Sequence, residues 1–298
     1  MIRFVLLTLL LLPLTASAAD RSLGDDSRWF VQINLAAIRG ASDNGALYGW
    51  LQREVIEDLE KEFGEGSVDD FDAITVFKIG DSGDSGDSGD GLGIVLDGRM
   101  NADMREGLIR RSAATALEDV GSGNAYVLGG NKELAESLDI EFDGDPLFLA
   151  FGERSGAFVT TSRALLEDFL DGARFERIAA TKLLIIRSDP MVSGAVNIDA
   201  IGEGYGNWNS KVMRNIRRAG FALTDAGGGY DVNIELIAVD EAQAQALQNI
   251  VQGVIGLQAL ADEEPEAAFL SRLQTQRDDE RVSLSVQVSS DELIGLLD

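Results

Sequence analysis

The residues best placed by type and spacing to do chemistry are four aspartates, Asp81, Asp84, Asp87 and Asp90, each separated from the next by Ser-Gly. Oxygen-rich loops of this kind bind hard cations, and Ca²⁺ takes roughly six to eight oxygen ligands in flexible geometry. That makes Ca²⁺ a candidate occupant. The spacing argues the other way, because an EF-hand loop alternates its acids and closes on a bidentate Glu, whereas these recur every third residue. The favoured reading is a repeat-expanded hairpin loop with no metal, in the position where the second half of the chain has only Ala226 to Gly229. A second candidate is basic. Lys211, Arg214, Arg217 and Arg218 line one side of an expected helix whose other side carries Trp208, Val212, Met213 and Ile216. Such a stripe could seat an anionic ligand or partner, or simply pair with the chain's own acids.

Other chemistries are excluded by composition. With neither His nor Cys, the chain has no Ser-His or Cys-His nucleophile pair and no imidazole or thiolate site for zinc or copper. Gly91-Leu92-Gly93 leaves a loop and enters a strand, the reverse of a dinucleotide-binding turn. Asp139 and Glu141 alternate along an apolar run and face solvent in the simplest reading. Trp29, Tyr48, Trp50, Tyr205 and Trp208 fall at element starts, where core packing explains them as well as a sugar platform does. No cofactor is expected and catalysis is not expected, although a carboxylate pair acting on envelope polysaccharide is the enzymatic alternative, and a purely structural envelope protein is a third.

The first 18 residues read as an export leader: Arg3, the apolar run Phe4 to Leu14, then Ala16-Ser17-Ala18. A periplasmic or secreted chain is expected, without a membrane-spanning segment once the leader is removed. Lacking cysteine, it must be held by its core alone. The net charge of −26 repels nucleic acid and anionic lipid and favours a cationic or protein partner.

These residues sit on an α+β pattern. Ala73–Asp97 reads as a hairpin, two β-branched runs around the Asp-Ser-Gly loop, and Phe221–Val239 repeats it with a shorter turn. Asn101 and Ser162 are expected helix caps, with the Asn101 helix running as far as Leu117; Asp240 should cap a helix over Glu241–Leu260. Short strands are expected at Ala125–Leu128, Leu138–Phe142, Leu147–Phe151 and Ala157–Thr160, with a meander among the last three. Ile33–Ile38 resembles Val196–Ile201, and Ala157–Leu170 resembles Val282–Leu297, each of these two a strand, a Ser (Ser162 and Ser290) and a Leu-rich helix. The pattern predicts residues 19–176 as a first α+β unit with an added antiparallel meander and 177–298 as a second, related one. Each is expected in the split-βαβ, ferredoxin-like order, with mostly antiparallel sheets and helices on one face.

Overall fold

A computed structural model of the chain describes residues 27–42, 45–57, 70–79, 91–117, 124–128, 146–152, 156–171, 190–198, 213–258 and 269–297. The fold is mixed α+β, with antiparallel sheets and several helices. In chain order the first part runs β1 (Ser27–Asn34), α1 (Leu35–Arg39), α2 (Ala46–Leu51, continued by a π turn, Gln52–Ile56), β2 (Phe71–Ile79), β3 (Gly91–Gly98), α3 (Ala102–Arg111), β4 (Thr115–Ala116), β5 (Ala125–Leu128), β6 (Leu147–Phe151), β7 (Ala157–Thr160) and α4 (Arg163–Leu170). The second part runs β8 (Val192–Asn197), a 3₁₀ turn (Met213–Asn215), β9 (Ile216–Asp225), β10 (Tyr230–Ala238), α5 (Glu241–Gln258), β11 (Gln274–Asp278), β12 (Arg281–Val288) and α6 (Ser290–Leu297). The described residues fall into two compact units, the first comprising 27–36 and 48–171, the second 37–47 and 190–297.

In the first unit the strand order is β1-β2-β3-β7-β6-β5-β4, every pairing antiparallel. The expected hairpin forms, with Ala73 opposite Asp97 and Phe77 opposite Gly93. Both faces of the central strands are apolar and buried. On one, Val31, Leu96, Leu149 and Ala157 are closed off from water; on the other, Phe77, Phe158 and Phe169 form a stack, with ring centroids 6.3 Å apart for the first pair and 4.8 Å for the second. Phe169 comes from α4, whose Leu165 and Leu166 are also buried and whose cap Ser162 accepts from the Leu165 amide. The Phe77 ring lies directly over Gly93, where an added Cβ would come within 2.3 Å of it, so only glycine fits at that point.

The second unit orders its strands β8-β9-β10-β12-β11, again all antiparallel. One face is apolar: Ile216, Ala238, Val282 and Leu284 pack beneath Ala244 and Leu247 of α5. As expected, Asp240 caps that helix, accepting from the Gln243 amide at 2.7 Å. Ser42 donates both its amide and its hydroxyl to Asp225, tying the short segment 37–47 to the β9–β10 turn.

Three expectations are corrected. The ferredoxin-like order is not adopted, since β1, β2 and β3 are successive antiparallel neighbours and so are β8, β9 and β10. The chain after β1 returns antiparallel directly beside it, in the slot a split βαβ unit keeps for a later strand. The helix expected to reach Arg218 gives way at Ile216 to β9, because the ladders to β8 and β10 satisfy more backbone groups than another turn of helix would. The helix capped by Asn101, whose side chain accepts from the Met104 amide, stops at Arg111 rather than Leu117. There the Ser112 hydroxyl turns back to the Leu108 carbonyl and Ala113 takes φ +46°, freeing Thr115–Ala116 to pair with β5. The strand expected at Leu138–Phe142 lies outside the described residues.

Candidate functional site

Paired residues on neighbouring strands carry their side chains to the same face, so the registers of the second unit define what lies opposite α5. One row across β8, β9, β10, β12 and β11 reads Ala195, Gly220, Glu235, Ser283 and Gln276; the next reads Ser193, Ala222, Asn233, Ser285 and Gln274. The row on the other side begins with Asn197 and Arg218 and includes Arg281. This is a polar sheet face, and β9 contributes only Gly220 and Ala222 at its centre. No long side chain of β9 stands between β8 and β10 there.

Burial makes the face unusual. Glu235 is 5% exposed and Ser193 0%. Glu235 Oε1 accepts from Arg281 at 2.6 Å, while its Oε2 is buried with no hydrogen-bond partner. Ser193 Oγ and Asn197 Oδ1, on the same face of β8, are likewise buried and unpartnered. Desolvation raises the Glu235 carboxyl above the ordinary glutamate range, and the Arg281 charge and hydrogen bond only partly oppose it. Each buried polar atom left without a partner costs about 1–3 kcal/mol. Three on one face of two strands is a concentration the core does not need. Arranged this way, the face carries unused hydrogen-bonding atoms on both sides of Gly220.

The residues singled out in the sequence do not assemble with it. Asp81, Asp84, Asp87, Asp90 and Lys211 lie outside the described residues, as do Asp139, Glu141, Tyr205 and Trp208. Among the described residues no group of three His, Cys, Asp or Glu is placed to hold a metal. Arg214 lies in the 3₁₀ turn and Arg217 and Arg218 on β9, so they form no helical stripe. Arg217 donates to the Val239 carbonyl and pairs with Glu280 at 3.3 Å, which ties the start of β9 to the β11–β12 turn. Arg218 alone shares the polar face. Glu235 and Ser193 were not singled out, since Ile234-Glu235-Leu236 reads as an ordinary alternation with the acid in water. Only the burial of the second sheet face reveals them.

No family model and no curated protein matches this chain. Solved structures do. Crystal form IV of TP0453 matches with a TM-score of 0.51 at 12% identity, covering 94% of this chain and 97% of that one. Crystal form III of TP0453 matches at 0.50 and 9% identity, covering 94% and 98%. At this identity the likeness is one of fold, the mixed α+β arrangement of antiparallel sheet and helices. No described helix is long and apolar enough to cross a membrane.

Proposed function

We propose that the chain is an exported binding or interaction module of the bacterial cell envelope, periplasmic or secreted, whose ligand seats on the polar face of the second unit. The observation that carries this reading is the set of buried, unpartnered atoms on that face: Glu235 Oε2, Ser193 Oγ and Asn197 Oδ1. We read the two units as copies of one ancestral unit. The orders β1-β2-β3-β7-β6 and β8-β9-β10-β12-β11 correspond, with a helix after the third strand and a helix closing each unit. The leader-like start of the sequence and the absence of His and Cys support export and a non-catalytic role.

The hydrolase alternative needs two carboxylates across a cleft, about 5–9.5 Å apart. On this face the acids nearest Glu235 are Asp278 of β11, two strands across and two residues along and therefore roughly 12 Å away at Cα, and Asp231, four residues along β10 and roughly 13 Å away. That spacing favours binding over glycoside cleavage. The test is a ligand-observed NMR screen of small polar molecules against the mature chain and against Ser193→Ala and Glu235→Gln. Ligands that bind the parent and are weakened by both substitutions support the reading; a screen whose hits ignore both substitutions, or that yields none, sinks it. Export is tested separately, by N-terminal sequencing of material recovered outside the cytoplasm, which should begin at Ala19.

A further inference from the structure

We infer that the ligand of the polar face is a small organic amine, bound as its ammonium cation; this rests on the reading of that face as a binding surface. Two of the three unpartnered atoms, Glu235 Oε2 and Asn197 Oδ1, are acceptors, and the third, Ser193 Oγ, is a hydroxyl that can accept. The missing partner therefore brings donors. A carboxylate brings none, and either a carboxylate or a phosphate would set its negative charge against Glu235 in a chain of net charge −26. An ammonium group carries up to three donors and adds a charge-assisted bond to the carboxylate, about twice as strong as a neutral one.

Arg281 occupies only Oε1, so the remaining oxygen is available to a second cation without displacing the first. Glu235 lies two strand spacings from Ala195, with Gly220 between, and Ser193 and Asn197 flank Ala195 two residues to either side, so each is roughly 12 Å from Glu235 at Cα. A single metal ion bridging that span would need carboxylates on β8, and β8 offers only Ser193 and Asn197 on this face. A chain of a few carbons with a donor at each end suits it.

The first unit shows how the side chains of this face differ. When Asn34, the last residue of β1, is aligned with Asn197, the last residue of β8, Phe77 corresponds to Ala222 and Phe158 to Ser283. Two stacked rings in one unit are replaced in the other by a methyl and a hydroxymethyl group. The Val95 position becomes Glu235. A change that both removes volume and adds hydrogen-bonding groups is what a polar ligand requires and an ordinary core does not.

The experiment is isothermal titration of the mature chain with 1,4-diaminobutane in about 0.15 M salt, which screens diffuse attraction to the acidic surface. 1,4-Butanediol and succinate serve as the neutral and anionic counterparts. The expected result is saturable one-to-one binding of the diamine, weakened about thirtyfold or more in Glu235→Gln and by a smaller factor in Ser193→Ala, with both variants retaining the parent's circular dichroism. Diamine binding that Glu235→Gln leaves unchanged overturns the inference, as does the absence of diamine binding. If instead the diol or succinate binds and Ser193→Ala weakens it, the ligand class is wrong while the binding surface stands.

Discussion

The same position in the two units is used in opposite ways. In the first, Val95, Phe77 and Phe158 face α4 and close a core whose polar groups are paired: Gln32 donates to Thr75 at 3.2 Å, and the buried Thr160 hydroxyl donates to the Leu92 carbonyl at 2.7 Å. In the second, the corresponding Glu235, Ala222 and Ser283 leave a buried carboxylate with one oxygen unused. Pairing geometry alone is satisfied by either set, since antiparallel ladders constrain the backbone and leave the face to the side chains. The lesson is that one strand order serves both a face that packs rings and a face that carries hydrogen-bonding groups. A face that gains unsatisfied polar atoms loses stability, and a fold retains such a loss where the atoms have a use.

The comparison breaks most readily at its aromatic end. Phe158→Ala removes a ring that is fully buried and stacked on both sides, and should cost about 3–5 kcal/mol in chemical denaturation. Ser283→Ala, at the corresponding position, should change stability by no more than about 0.5 kcal/mol. Equal effects would mean that the two faces are packed alike. A related pair tests close approach. Gly93→Ala pushes a methyl into the Phe77 ring and should cost about 1–3 kcal/mol, recovered in part by Phe77→Leu. Asn233→Ala, the matching position beside Ala222, adds no atoms and should not destabilise through overpacking.

The ion pair on the polar face gives the next effect. Arg281→Met leaves the Glu235 carboxylate buried without its cation, and should cost about 2 kcal/mol near neutral pH. The figure is below the ~3–5 kcal/mol typical of fully enclosed pairs because Arg281 keeps some solvent contact. The pH dependence has a definite sign. Burial raises the Glu235 carboxyl above its unfolded value, so between the two values the folded chain holds more protons than the unfolded one. The contribution of Glu235 to stability is therefore full below its unfolded value and is lost as pH rises through its folded value. Removing Arg281 raises the folded value further, so the penalty in Arg281→Met should grow with pH and shrink in acid. Denaturation midpoints measured from pH 4 to 8 should diverge upward in pH; curves that run parallel would show that the carboxylate is not desolvated.

Much of this frame was readable in the sequence, and for local reasons. The hairpins at Ala73–Asp97 and Phe221–Val239, and the caps Asn101, Ser162 and Asp240, follow from turn composition and from side chains that bond amides three residues on. What escaped depends on distant partners. Residues 208–218 carry basic and apolar side chains at helical spacing, yet Ile216–Arg218 join a sheet once β8 and β10 flank them. Gln274–Asp278 has no apolar alternation, because β11 has β12 as its only partner strand among the described residues, and so it was not expected as a strand. The candidate site was the least readable of all. Glu235 becomes a buried acid only when both faces of its sheet are covered, and no property of its neighbours in sequence signals that.

The smallest expected effect tests whether the units agree where the comparison says they should. Each closes with a strand, a serine and a helix. Ser162 accepts from the Leu165 amide at 3.4 Å and Ser289, rather than the expected Ser290, from the Glu292 amide at 3.3 Å, each bonding the amide three residues on. Replacing either serine by alanine should cost about 1 kcal/mol, since both remove one acceptor from an otherwise orphaned helix amide. Ser289 has an added link: Glu292 reaches back to its amide at 2.9 Å and pairs with Arg272 at 2.7 Å. Those bonds hold the Glu292 carboxyl below the ordinary range. A lowered value contributes stability above the unfolded pKa that is lost as pH falls through the folded one, so part of what holds α6 fades in acid while the Ser162 cap does not. Amide hydrogen exchange in the first turn of α6 should therefore accelerate, relative to the first turn of α4, as pH drops below about 4 once intrinsic rates are divided out. If the two turns keep a constant ratio across that range, Glu292 adds nothing to the cap and the units end alike in energy as well as in sequence pattern.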